Sequence, residues 1–478
     1  MKSKAAIWIV LGLVSGWSAM AANVYVVPPG TPGAAPSAPY TSWATAATNI
    51  ADAITAIVTN DGNIVFISNG TYMLPDQITV NKGVILRSWK DGQTDRDGTI
   101  LDGNNYPGKP VTNRVITLNH PEAVLDGLTI QGGGPIQVST PRDPRGAGVF
   151  IYRFAMITNC LIANNISAVL TNANSQGGGI CVDALYTNLG VITHCLIVSN
   201  QASQGGGIYA TPTGNLLVEH CQILTNQAIN SGSTYGGGGV LLESRSLNGV
   251  ATFRNCLIAY NAAPREGAGV VMWYAGLFEN CQIVSNDASP GGVAAGVYIY
   301  NSSKQFYYGM PYLRNCLIQG NSVGTGTRAA VGIEIGADIP NKEVAALIEN
   351  CTIVDNPTGW GWRHVNTTAT SAVHFVNTII YGHDTDVVGL ANRTYFTNCL
   401  SSVALPGDNN ITNVAPTFVD GYHLAGDSAG VNAGLNQAWM TEPGAKDLDG
   451  QTRVDRFSGK VDMGCYEHIP RGTAFLLR

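Results

Sequence analysis

The apolar positions of this chain recur around a repeated cysteine rather than as a helical stripe. Cysteines stand at 160, 195, 221, 256, 281, 316, 351 and 399, at intervals of 35, 26, 35, 25, 35, 35 and 48 residues. Three residues before each is an apolar side chain: Ile157, Ile192, Val218, Phe253, Phe278, Leu313, Ile348 and Phe396. Directly before it is Asn or His, two after it is usually Ile, and five after it is usually Asn, from Asn165 to Asn356. The 48-residue gap holds a further copy in which Thr378 takes the Cys position. Side chains along a strand alternate between faces. Two inward positions with an odd separation therefore cannot share one unbroken strand. A bend must fall at the Asn, which tolerates left-handed backbone better than most residues.

A second marker follows each copy. Gly177-Gly178-Gly179-Ile180, Gly205-Gly206-Gly207-Ile208, Gly237-Gly238-Gly239-Val240 and Gly267-Ala268-Gly269-Val270 each open another short strand. Three strands and three bends per 25–35 residues make one turn of a parallel β-helix. The pattern resembles the right-handed parallel β-helix proteins of the pectate-lyase-like superfamily over about residues 60–400. That resemblance implies an all-β, right-handed parallel β-helix solenoid of about ten turns, with a substrate groove on the sheet that follows the Gly markers. It is specific as to fold and not as to activity, because one fold hosts many chemistries.

Solenoids need caps. Ala44, Ala47, Ile50, Ile54 and Ile57 recur at helical spacing behind Ser42. They predict an N-terminal capping helix with Ser42 as its N-cap. Near the C-terminus, Tyr422-His423-Leu424, Asp447-Leu448-Asp449-Gly450, Arg453 and Val461 to Glu467 resemble the choice-of-anchor region of bacterial β-helix proteins. The expected organisation is a leader at 1–21, an N-terminal cap at 22–62, the β-helix at 63–412 and a cap or anchor-like region at 413–478.

Composition supports this outline. Charged residues are only 12% and Gly is 57 of 478, which suits many short strands joined by turns. The net charge is −6 and no basic run appears, so nucleic acid is not an expected partner. Lys2 and Lys4, the apolar stretch Ala5 to Trp17 and Ala19-Met20-Ala21 read as a signal peptide. The mature chain is expected outside the cytoplasm, secreted or at the cell surface, as a monomer without membrane insertion. Exported cysteines usually pair. Here eight share one inward position, so an unpaired core stack is expected, with Cys181 and Cys465 off it. The spacing carries no zinc signature.

Candidate chemistry lies on the strand after each Gly marker, whose second and fourth residues should point outward. Stacked over successive turns, Tyr152, Tyr209, Trp273, Tyr298, Tyr300, Glu334 and Arg363 would form an exposed substrate-binding stripe. Asp183 and Glu243 lie two turns apart, roughly 9–10 Å by strand spacing, a separation that suits an inverting carboxylate pair. Arg265 and Glu266, on a neighbouring loop, are further catalytic candidates. The segments 166–176 and 227–235 would wall the groove. No metal ligand set is assigned; Ca²⁺ is considered only because Asp95-Arg96-Asp97-Gly98, His383 to Asp386 and Asp447 to Gly450 distantly resemble its loops. Two readings stand side by side: a polysaccharide hydrolase or lyase, and a non-catalytic adhesin-like or glycan-binding scaffold. Either would take a polysaccharide or cell-surface glycan as partner.

Overall fold

The computed structural model describes residues 23–469, except 59–60, 104–113, 135–144, 154, 168–174, 184–188, 213, 230–235, 244–248, 290, 301–309, 325–329, 337–345, 358, 366–372 and 389–393. The expected leader lies outside the described residues. The chain is a right-handed parallel β-helix. Among the described residues, sheet A has 14 strands, from Val24–Val26 to Gly407–Asp408. Sheet B has 13, from Gly70–Met73 to Ile411–Thr412, and sheet C has 11, from Ile78–Val80 to Thr385–Val388.

The register is set by the repeat. Ile162, Ile197, Ile223, Ile258, Ile283, Ile318, Ile353 and Ile380 face one another in consecutive strands of sheet B. Inside sheet A the aromatic positions stack, Phe253 on Phe278 at 4.7 Å and Phe375 on Phe396 at 4.8 Å. All ten cysteines are buried thiols, none of them in a disulfide. Between sheets A and B the bend is one residue in left-handed backbone, for example Asn159, His194, His220 and Asn255 at φ 51–54°.

The second bend works differently from the first. Its left-handed residue precedes the repeated Asn and varies in type: Asn164, Ser199, Thr225, Tyr260, Ser285 and Asp355. The Asn itself is buried and forms a ladder. Each Nδ2 donates to the next turn's Oδ1, from Asn165 to Asn200 at 2.9 Å through to Asn321 to Asn356 at 3.0 Å. Asn356 Nδ2 ends the ladder 3.0 Å from His383 Nε2. An amide N–H only donates, so Nε2 accepts and the imidazole proton sits on Nδ1, 3.0 Å from Asp386 Oδ1. The His383 to Asp386 segment is thus a structural stop for the ladder. The third Gly of each marker is a close-approach position: a Cβ on Gly179 would lie 2.7 Å from Gly207 O.

The N-terminal helix is shorter than expected. It spans Ile50–Ala56 and its N-cap is Asn49, whose Oδ1 accepts from Ala51 N at 2.7 Å. Ser42 instead caps a single 3₁₀ turn, Trp43–Thr45. Ala47 is bridged to Val26 and so cannot continue a helix. At the other end, the segment from 413 lies along the side of the solenoid. Leu424, Met463, Cys465 and Tyr466 pack with Leu317, Val354, Ile379 and Leu400 on the outer face of sheet B.

Candidate functional site

Pairing in sheet C brings Cys181, Tyr209, Leu241, Val271, Tyr298, Glu334 and Arg363 into one outward file. Glu243, Trp273, Tyr300 and Gly336 form a second file. The alternation is as the sequence predicts, but the exposure is not. Phe150, Cys181, Tyr209, Leu241, Val271, Tyr298 and Tyr300 form a second buried apolar cluster, against which Tyr152 and Trp273 are partly buried. Strands buried on both faces read as continuous apolar runs. Ile180-Cys181-Val182 and Val240-Leu241-Leu242 are such runs, and they carry the signal that attention to aromatics and acids alone passes over. Much of the expected walls, 168–174 and 230–235, lies outside the described residues.

The two carboxylates paired from the sequence have separate surroundings. Asp183 is ion-paired with Arg145, and its other oxygen accepts from Thr211 Oγ1 at 3.0 Å. The Arg145 guanidinium also lies 5.4 Å from the Phe150 ring centroid, with Arg114 at 4.5 Å. Glu243 is buried and accepts from the Tyr209 hydroxyl. Both carboxylates are therefore built into the packing of the closed part of the face.

A different cluster gathers nearer the C-terminal end of the sheet. Glu334 is 3% exposed and lies 3.5 Å from Arg363. Its side chain turns back along its own strand, where Oε2 accepts from Ala330 N at 3.4 Å. Ala330 is bridged to Ala294, whose carbonyl accepts from Gly267 N, so the loop bearing Glu266 arrives at the same corner. Burial pushes the Glu334 carboxyl up to about 7; Arg363 opposes the rise and the negative charge of Glu266 adds to it. Desolvation thus outweighs the cation, and near neutral pH the group exists in both protonation states. Glu266 is itself buried, whereas Arg265 is exposed on the rim. Arg363 is stacked 4.9 Å from the Trp360 ring centroid. Trp273 stacks on Tyr274 at 5.7 Å, and Tyr274 holds a φ of 85°, a costly backbone for an aromatic residue.

The structure therefore brings Glu266, offered by the sequence as a catalytic candidate, to Glu334 and Arg363 of the expected binding stripe. Loop and strand positions 68 residues apart carry no periodic relation that could pair them. Among the described residues no group of three or more His, Cys, Asp or Glu is arranged to hold a metal ion. The two Asp-rich loops are turns closed by their own backbone: Gly98 N donates to Asp95 at 3.1 Å, and Asp449 and Gln451 N donate to Asp447 at 2.9 and 2.7 Å.

The right handed beta helix region family matches residues 118–309. Among solved structures, pectate lyase Pel9A is 14% identical, with a TM-score of 0.43, covering 94% of this chain and 96% of that one. A pectin methylesterase from Aspergillus niger is 15% identical at a TM-score of 0.32, covering 79% of this chain and 89% of its own. Pectin methylesterase PemA from Erwinia chrysanthemi is 11% identical at 0.31, covering 81% and 92%. No curated protein sequence matches the chain.

Proposed function

We propose that this chain is an exported, carbohydrate-active β-helix, a polysaccharide hydrolase working on the outer face of sheet C near Arg363. Glu334 is its general acid and Glu266 the partner carboxylate. The observation that carries this reading is the buried Glu334 carboxyl, raised to about 7 between a guanidinium and a second carboxylate. A strongly perturbed acid with a specific charge partner is a mark of functional sites. In the proposed step the protonated Glu334 gives its proton to the glycosidic oxygen as the C–O bond breaks. Water adds to the sugar carbon and its proton passes to Glu266. Arg363 then stabilises the Glu334 carboxylate left behind. Trp273 and Tyr274 offer aromatic faces for sugar rings.

The test is a panel of neutral, uronate and sulfated polysaccharides, read for new reducing ends and for unsaturated products. Reducing ends without unsaturation are expected. E334Q and E266Q should each lose about 10²-fold or more, in line with removal of a general acid or base, while D183N stays within tenfold. Full activity in E334Q would overturn the assignment, and unsaturated products would make the enzyme a lyase.

A non-catalytic scaffold is the second reading. The burial of Phe150, Tyr209 and Val271 and the pairing of Asp183 and Glu243 with Arg145 and Tyr209 favour it. Silence across the panel would support it.

A further inference from the structure

From Asn159 onward the bends between sheets A and B form a single row along the solenoid, one Asn or His per turn. Over the last turns the C-terminal segment sits on this row. Asn398 donates to Ala433 O at 3.0 Å, Asn377 to Leu435 O at 2.9 Å and Asn315 to Lys446 O at 3.0 Å. At Asn280 and Asn255 that coverage ends, and two adjoining hollows of about 350 and 190 Å³ open, both lined by these two asparagines. The larger falls within the usual volume of small-ligand sites, about 300–1,000 Å³.

The larger hollow has a preassembled floor. Glu279 lies 2.9 Å from Arg254 and 3.2 Å from Arg314. The Arg314 guanidinium is held between the Tyr312 ring at 4.7 Å and the Trp439 ring at 4.8 Å. The facing wall runs from Glu442 to Lys446. Lys446 is exposed, and among the described residues its ammonium has no ion pair. The hollow is thus lined by two guanidiniums and an ammonium interspersed with two carboxylates, with the two Asn side chains supplying both donors and acceptors. An ionic ligand would be opposed by one of the two charge sets. A ligand whose every hydroxyl both donates and accepts meets a partner on either side.

We propose that this cleft, between the C-terminal segment and the Asn row, is a second binding site that takes a short neutral saccharide. It lies on the A/B side of the solenoid and is independent of the reading of sheet C, because it requires binding and no turnover.

The experiment is calorimetric titration of the full chain with neutral disaccharides of several linkages, with digalacturonate as the charged comparator. Tryptophan fluorescence is followed in parallel. The expected result is one-site binding of at least one neutral disaccharide, weakened tenfold or more in W439A and in K446A and unchanged in E334Q. K446A alters an exposed side chain, so it keeps the test valid should W439A disturb the segment. Binding that survives K446A and a folded W439A, preference for digalacturonate, or no neutral binding at millimolar ligand would each overturn the proposal. Failure of catalysis in E334Q with binding retained would leave it standing.

Discussion

One residue type holds this fold together in two unlike ways. At the first bend Asn supplies a backbone conformation, and His194 and His220 do the same work at φ 54° and 51°. At the second bend its side chain is the structure. Asn261 is fully buried, and its Oδ1 accepts from both Asn226 N at 2.9 Å and Asn226 Nδ2 at 3.1 Å. Its own Nδ2 donates to Ile223 O and Asn286 Oδ1 at 2.9 and 3.0 Å. N261L would remove all four bonds and strand buried partners in the adjacent turns. Each such group costs about 1–3 kcal/mol, so a loss of at least 3 kcal/mol is expected in denaturant unfolding, against under about 1 kcal/mol for N255H, which puts at an exposed first-bend position a residue this bend already carries at His194 and His220. An N261L variant as stable as the parent would show that the ladder is ornament to the packing.

The elements differ in how readily the chain declares them. The strands of sheets A and B, and the bend between them, follow from the odd separation of Ile157 and Cys160 and of Phe253 and Cys256, because alternation permits no other path. Sheet C was legible in position and not in environment. Val270-Val271-Met272 is apolar on both faces, and only the structure shows that Val271 is fully buried on the outer one. V271D tests that difference directly. On a solvated face it would be nearly neutral, whereas burying an unpaired carboxylate in this cluster should cost several kcal/mol. A melting temperature within a degree or two of the parent would return sheet C to the status of an open surface. The site is legible in part. Glu334 and Arg363 fall in one predicted stripe and meet across adjacent strands, whereas the arrival of Glu266 depends on a loop that no period encodes.

Across the whole molecule, the buried acids make stability depend on pH in a defined direction. Burial raises Glu334 and Glu349 to about 7 each, and it raises Glu467, Asp447 and Asp462 in the same sense. A carboxyl whose folded pKa lies above its unfolded value binds its proton more tightly in the folded chain. Its contribution is fully present below about pH 4.5 and is lost as pH rises through 7. Asp95, Asp386 and Asp420 are lowered by their hydrogen bonds and act oppositely, but their stabilisation is already complete above the ordinary carboxylate range. His364, lowered by burial, adds stability as pH rises only until the unfolded imidazole has lost its proton, near 6.5. Between pH 6.5 and 8 nothing in this set offsets the acids, so the melting temperature should fall over that interval. Glu349 faces Tyr312 and Arg314 on sheet A, away from the proposed catalytic cluster, and so isolates the effect. E349Q keeps the neutral form's shape at every pH and should flatten the fall, by up to about 1.4 kcal/mol for each pH unit over which Glu349 alone retains its proton. A parent curve that rises from pH 6.5 to 8, or an E349Q curve that runs parallel to it, would mean that these carboxyls are ionised in the folded chain.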